Sequence, residues 1–146
     1  MTDEEKKELT GCLLNEQCSC VIRQGQETRI FRERGVKDLF RLLKEEPGFL
    51  QGALIVDKVV GKAAASLMIL GGIKEVFAEV ISHPALDLFQ TAGVKAGYRL
   101  EVPHIINRTH TDWCPLEIRC FGLRTAEECL EQIEDFLNRQ QADRLA

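Results

Sequence analysis

Residues 54–68, LIVDKVVGKAAASLM, decide how the rest of the chain is read. Leu54, Ile55 and Val56 form a short apolar run suited to a buried strand, Asp57 is a good helix N-cap, and helix-formers without proline follow from Lys58. The stretch therefore reads as a strand that ends at a helix N-terminus. Such a terminus offers unpaired backbone N–H groups and the positive end of the helix dipole, and Lys58 and Lys62 add cations four residues apart. The expectation is an anion-binding corner. A solvated helix face carries the same lysines at little cost, since like charges at this spacing repel by only about 0.2–0.5 kcal/mol. Gly61 costs about 0.8–1 kcal/mol relative to alanine inside a helix, so it points to a close approach by a ligand or by packing.

Toward the N-terminus, Val36 to Glu46 has helical spacing, with Val36, Leu39, Phe40, Leu42 and Leu43 apolar and Pro47 as its stop. Cys18–Arg23 and Glu27–Arg32 read as a hairpin around Gln24, Gly25 and Gln26. Thr2 or Asp3 caps a first, peripheral helix running to about Asn15, with Leu9, Cys12 and Leu13 on one face. Toward the C-terminus, Gly71 and Gly72 stop the central helix and Val76–Ile81 forms another buried strand. Ser82, His83 and Pro84 open a helix that ends near Gly93, and Tyr98–Val102 forms a last strand. Strands alternating with helices imply βαβ crossovers and a largely parallel sheet covered on both faces. Ligands on such sheets bind beyond the carboxyl ends of the strands, where Asp57, Lys58, Ser82 and His83 fall.

The 146 residues suit one domain, 1–146, with a single hydrophobic core. A net charge of −4 gives no general basic surface, so nucleic acid is not the default partner. The N-terminal stretch is acidic and lacks an apolar core, which excludes a secretory signal or membrane span there and predicts a cytoplasmic protein. The six cysteines then read as reduced thiols.

After Val102, PHIINRTHTDWCPLEIRC combines a polar loop holding the only tryptophan with a helix opening at Pro115. Thr125–Leu137 is a final amphipathic helix, with Glu128 completing a capping box and a fraying tail beyond Asn138. Pro115 leaves Cys114 at an N-cap, where a thiol near Lys or Arg becomes a nucleophile or a redox-sensitive group; burial as a small hydrophobe is the competing reading. Glu117 suits either a capping box or general acid–base work. Arg108, with Asn107 beside it, suits a phosphate or carboxylate, or a surface ion pair. His104, His110, Cys114 and Cys120 lack the spacing of a zinc site, so no metal or cofactor is expected. Phosphate-loop, dinucleotide and nucleophile-elbow fingerprints are absent.

DKVVGKAAA from Asp57, taken with NR at Asn107 and Arg108 and CPLE from Cys114, resembles the domain of unknown function 1893 family. Its members look like the cytidine deaminase superfamily in fold. The resemblance covers about residues 15–122 and implies a three-layer α-β-α fold with a mixed sheet of about five strands and helices on both faces. It does not carry the chemistry over. Deaminases place zinc ligands and a proton-shuttling Glu where this chain reads RERGVKD, around Arg34, and VDKVVGK, around Asp57. The resemblance implies a deaminase-like pocket refitted with Arg34, Asp57, Lys58 and Lys62, and by analogy a homodimer or tetramer.

Three functions follow, of which the first is the preferred reading and the other two are its alternatives. A cysteine-dependent enzyme would use Cys114, Lys58, Lys62 and Glu117 on a small anionic or nucleotide-like molecule held by Arg34, Asp57, Gly61, Ser82, Asn107 and Arg108. A binding module would hold the same ligand without reaction. A redox sensor would pair Cys114 with a resolving thiol, Cys120 first.

Overall fold

The computed structural model describes residues 1–33, 36–107 and 111–145. The chain runs α1 (Asp3–Asn15), β1 (Cys20–Gln24), β2 (Glu27–Phe31), α2 (Lys37–Glu45), α3 (Pro47–Leu50), β3 (Leu54–Val60), α4 (Lys62–Gly71), β4 (Glu75–Ser82), α5 (His83–Ala92), β5 (Lys95–Val102), α6 (Pro115–Cys120) and α7 (Ala126–Leu145). One five-stranded sheet has the order β2-β1-β3-β4-β5. β1 is antiparallel to both β2 and β3, whereas β3, β4 and β5 are parallel. The mixed α/β architecture expected from the sequence is observed.

Alternation along the strands sets the layers. Val21, Leu54 and Val56 turn toward α1 and pack on Leu9 and Leu13. Ile22, Ile55, Val76 and Ala78 face the opposite way, into a larger core built with Leu39 and Leu42 of α2, Leu67 and Met68 of α4, and Phe89 of α5. Burying a Val, Leu, Ile, Met or Phe side chain of this set fully contributes about 1.5–3 kcal/mol. α4 is apolar nearly all round, because α7 covers its outer side with Cys129 and Ile133. α1 is the helix on its own face of β1 and β3, so it is a layer of the fold rather than a peripheral addition.

The strand-to-helix junction at the centre lies later than the sequence reading put it. Val59 and Val60 continue β3 by pairing with Val80 and Ile81, and α4 starts at Lys62 with Gly61 as its N-cap. β-Branched residues favour the extended backbone, and sheet pairing outweighs the capping preference of Asp57. Asp57 is therefore a strand residue opposite Cys20, and Lys58 and Lys62 sit on different elements rather than on one helix face. Two boundaries also shift. Pro47 opens the short α3 as its first residue, and α7 continues to Leu145, carried by helix-formers with no Gly or Pro among them.

Candidate functional site at the carboxyl ends of β3 and β4

Asp57 is 8% exposed and sits in the antiparallel pair with Cys20. Burial pushes its carboxyl up from 3.8 to about 7, while the backbone N–H groups of Val59 and Lys58 and the Cys20 thiol pull it back. The Val59 N–H donates to Oδ1 at 3.2 Å. In turn, burial and the facing Asp57 push the Cys20 thiol well up. A carboxyl poised near neutrality can give or take a proton. Lys58 is half-buried and joins the sheet through its backbone N–H, which donates to Ser19 at 3.0 Å.

Three residues onward, the helix terminus predicted to bind an anion is closed from within the chain. Glu117, 3% exposed, projects from α6 and accepts from the Ile105 N–H at 3.3 Å. Its Oε1 lies so near Gly61 that a Cβ there would approach it to 2.9 Å, with Ile105 Cγ1 at 3.2 Å. The close approach that Gly61 permits is thus one made by packing. The carboxylate stands at the positive end of α4, as dipole electrostatics favours. Lys62, 6% exposed, begins α4 and turns its ammonium onto the carbonyls of Leu123 and Phe121, just past α6.

Cys114 is half-buried at the N-cap of α6, without a side-chain capping bond. Its N–H donates to Ile105 O at 2.8 Å. The Lys62 ammonium meets the chain beyond the opposite end of α6 from Cys114. Another thiol pair stands closer to that cation. Cys120 and Cys129 are both fully buried and interact electrostatically with each other and with Lys62. The Cys120 thiol, the neighbouring Ser66 hydroxyl and the Lys62 charge hold the Cys129 thiol below the usual range, and Cys129 in turn pushes Cys120 up. Ser66 also donates to Lys62 O at 2.8 Å.

Ser82 is fully buried, and its Oγ accepts from the Ala85 N–H at 3.3 Å, so it caps α5. Next to it, His83 meets Glu101 through Nδ1 at 2.6 Å and Asp87 through Nε2 at 3.3 Å. Those two carboxylates raise its pKa. A groove of about 330 Å³ opens beside it, lined among others by Lys62, His83, Asp87, Phe121, Leu123 and Arg124. The sequence reading placed His83 at the strand ends where a ligand is expected but gave it no role beyond starting a helix, and it did not single out Arg124 or Cys129. The His83–Asp87 spacing of four residues was an available signal; the approach of Arg124 depends on the tertiary fold.

The loop after β5 is folded back on itself. Ile106 bridges Trp113, and Trp113 stacks on His104 with ring centroids 4.0 Å apart. Asn107 pairs with Thr111, accepting its N–H at 3.1 Å and donating to its hydroxyl at 3.2 Å. Arg34, Arg108 and His110 lie outside the described residues. Among the described residues, no group of three or more His, Cys, Asp or Glu side chains is arranged to hold a metal, and no helix is long and apolar enough to cross a membrane.

These features define a mixed α/β protein whose parallel strands β3 and β4 end in a buried polar cluster beside a groove lined by Lys62, His83, Asp87 and Arg124. The family model described as Domain of unknown function (DUF1893) matches residues 8–137, and the chain belongs to that family. It is similar to a DUF1893 family protein (TM1506) from Thermotoga maritima, known from a crystal structure, with 25% identity and a TM-score of 0.85 over 92% of this chain and 91% of that one. A slighter likeness, with a TM-score of 0.47 and 11% identity, links 65% of this chain to 35% of Acinetobacter baumannii RibD. None of the curated proteins compared with it matches.

Proposed function

We propose that this chain binds a small anionic ligand in the groove between α5 and the α6–α7 connection, as a binding module rather than as a cysteine enzyme. The observation that carries the reading is the convergence of Lys62, His83 and Arg124 on one groove at the carboxyl end of β4. Three groups able to carry positive charge line it, with Asp87 in the lining and Glu101 paired to His83. Arg124 supplies a planar donor fork, suited to phosphate or carboxylate, and Lys62 a point charge fixed by two carbonyls. The cysteine-enzyme alternative rests on Cys114 being activated by Lys58 or Lys62. It has less support, because Lys58 is a strand residue and Lys62 is tied beyond the far end of α6.

The test is NMR titration of the protein with inorganic phosphate and with a nucleoside monophosphate. Saturable shifts centred on His83, Leu88 and Leu123 are expected, and Arg124→Ala should weaken binding about 10-fold or more, as loss of a charge-assisted hydrogen bond does. Absence of saturable shifts in the groove with both ligands would remove the reading. Rapid alkylation of Cys114 ahead of the other thiols would return the enzyme alternative to first place.

A further inference from the structure

We propose that β5 is the interface of a symmetric homodimer in which two copies of this chain join their sheets edge to edge. The sheet ends at β2 on one side and at β5 on the other. β2 has only five residues, and its Arg29 is tied to Glu27 at 2.6 Å and to Glu46 at 3.1 Å. β5 is longer and barer: eight residues, Lys95–Val102, without proline and with five of them exposed. Tyr98 and Leu100 are among these, 42% and 47% exposed. An edge strand presents outward N–H and C=O groups and pairs with another chain unless it is short, covered or guarded by charge. Arg99, the one charge in the middle of β5, is already met by Glu79 at 2.8 Å.

The charges of β5 name the occupant. A closed dimer made from a strand and its copy pairs antiparallel about a twofold axis, and when that axis is perpendicular to the sheet one residue sits on it. A centre at Gly97 sets Lys95 against Arg99 twice, and a centre at Arg99 sets that guanidinium against its own copy. A centre at Leu100 matches Arg99 with Glu101 but carries residues 95–97 past the end of the copy's strand. With Tyr98 on the axis, residues 95–101 all pair. Lys95 then faces the copy's Glu101 at both ends of the contact, Ala96 faces Leu100, and the two Tyr98 rings meet at the centre. Opposite charges facing across strands stabilise the pair and like charges destabilise it, so this register is the one β5 selects with itself.

The side chains are placed for it. Lys95 is well exposed and reaches Glu75 only at 4.0 Å, and Glu101 meets His83 through Oε2. Pairing covers Tyr98 and Leu100 and continues the sheet through both copies. Because Glu101 is the partner of His83, the copy's Lys95 arrives beside the groove that His83 lines. Each groove thereby gains a neighbouring cation from the other chain. The dimer itself does not rest on the anion-binding reading.

The experiment measures the mass of the full chain by light scattering over a concentration series. A reversible shift from one chain to two is expected. Lys95→Glu sets carboxylates against each other at both ends of the contact, and Glu101→Lys does the same with ammonium groups. Each should weaken the dimer about 10-fold or more, while an equal mixture of the two variants restores opposite charges and should dimerise like the parent. Recovery on mixing separates charge pairing from misfolding. Where a charge variant does not fold, Tyr98→Cys decides: thiols introduced on the axis should link two copies in air, with position 98 joined to position 98 in the peptide map. A one-chain mass at every concentration would overturn the proposal and leave the edge to a strand of another protein. A dimer that both charge variants leave intact, or in which position 98 does not link, would overturn it by placing the contact elsewhere.

Discussion

The junctions β3 to α4 and β4 to α5 start from the same situation, a parallel strand feeding a helix at one edge of the sheet, and resolve it in opposite ways. At β4 to α5 the local sequence is sufficient: Ser82 caps the helix with its own hydroxyl, Pro84 fits the first turn, and His83 remains exposed at the groove. At β3 to α4 the cap is Gly61, which has no side chain to offer. The helix terminus is instead covered by Glu117 from α6, and the first helical side chain, Lys62, is held by carbonyls of the α6–α7 connection. A self-capped helix end stays available to other molecules. One that depends on distant residues becomes part of the core.

The contrast can be broken most strongly through pH at the β3 end. Asp57 has an unfolded value of 3.8 and a folded value of about 7, so the folded state holds its proton more tightly. Its contribution to stability is fully present below about pH 4 and is lost as pH rises through about 7, a swing of roughly 4 kcal/mol. Urea denaturation across this range should show Asp57→Asn flattening the profile relative to the parent; parallel profiles would contradict the buried, protonated carboxyl. Next comes Gly61→Val, whose Cβ meets Glu117 and Ile105. A destabilisation of about 1–3 kcal/mol is expected in the same assay, and wild-type stability would show that Glu117 moves aside freely.

At the self-capped junction the effects should be smaller. Ser82→Ala removes a single capping bond and should cost about 1 kcal/mol, restored mostly by Ser82→Asp or Ser82→Asn; a cost equal to that of Gly61→Val would erase the contrast. The smallest effect belongs to His83. Because Glu101 and Asp87 raise its pKa, the protonated form is favoured in the folded state. Its contribution is present below the unfolded value and fades as pH rises through the raised one. An NMR titration should give an apparent pKa above that of free histidine, and Glu101→Gln should lower it.

The sheet was legible where hydrophobic pattern and turn chemistry agreed. Alternation around Gln24 and Gly25 located the hairpin, and paired Gly71–Gly72 and Ser82–Pro84 signals located the ends of α4 and the start of α5. Asp57 was misleading because the same residue type serves as a helix cap and as a buried carboxyl. Only the pairing of Val59 and Val60 with β4 distinguishes the two, and pairing is not a local property. The sequence reading put an anion-binding corner at Asp57 and Lys58, whereas α4 begins at Lys62 and its terminus is covered by a carboxyl of the chain itself. What fills it, Glu117, lies 56 positions beyond Gly61, and no periodicity links the two. Cys129 reads as one more apolar position of an amphipathic helix until Cys120 and Ser66 are brought to it.

The bonds from Lys62 to Phe121 and Leu123 join positions 59 and 61 residues apart in the chain. The β1–β2 hairpin and the crossovers through α4 and α5 close much shorter loops, so they can assemble before this contact forms. Loop-closure entropy then predicts that α6 and α7 dock after the sheet and its crossovers have formed. In native-state hydrogen exchange their amides, with those of the first turn of α4, should open together at a lower free energy than the amides of β1, β3 and β4. With that outcome, the latch that seals the helix terminus would also mark the line between an early-formed body and a closure able to open without unfolding it.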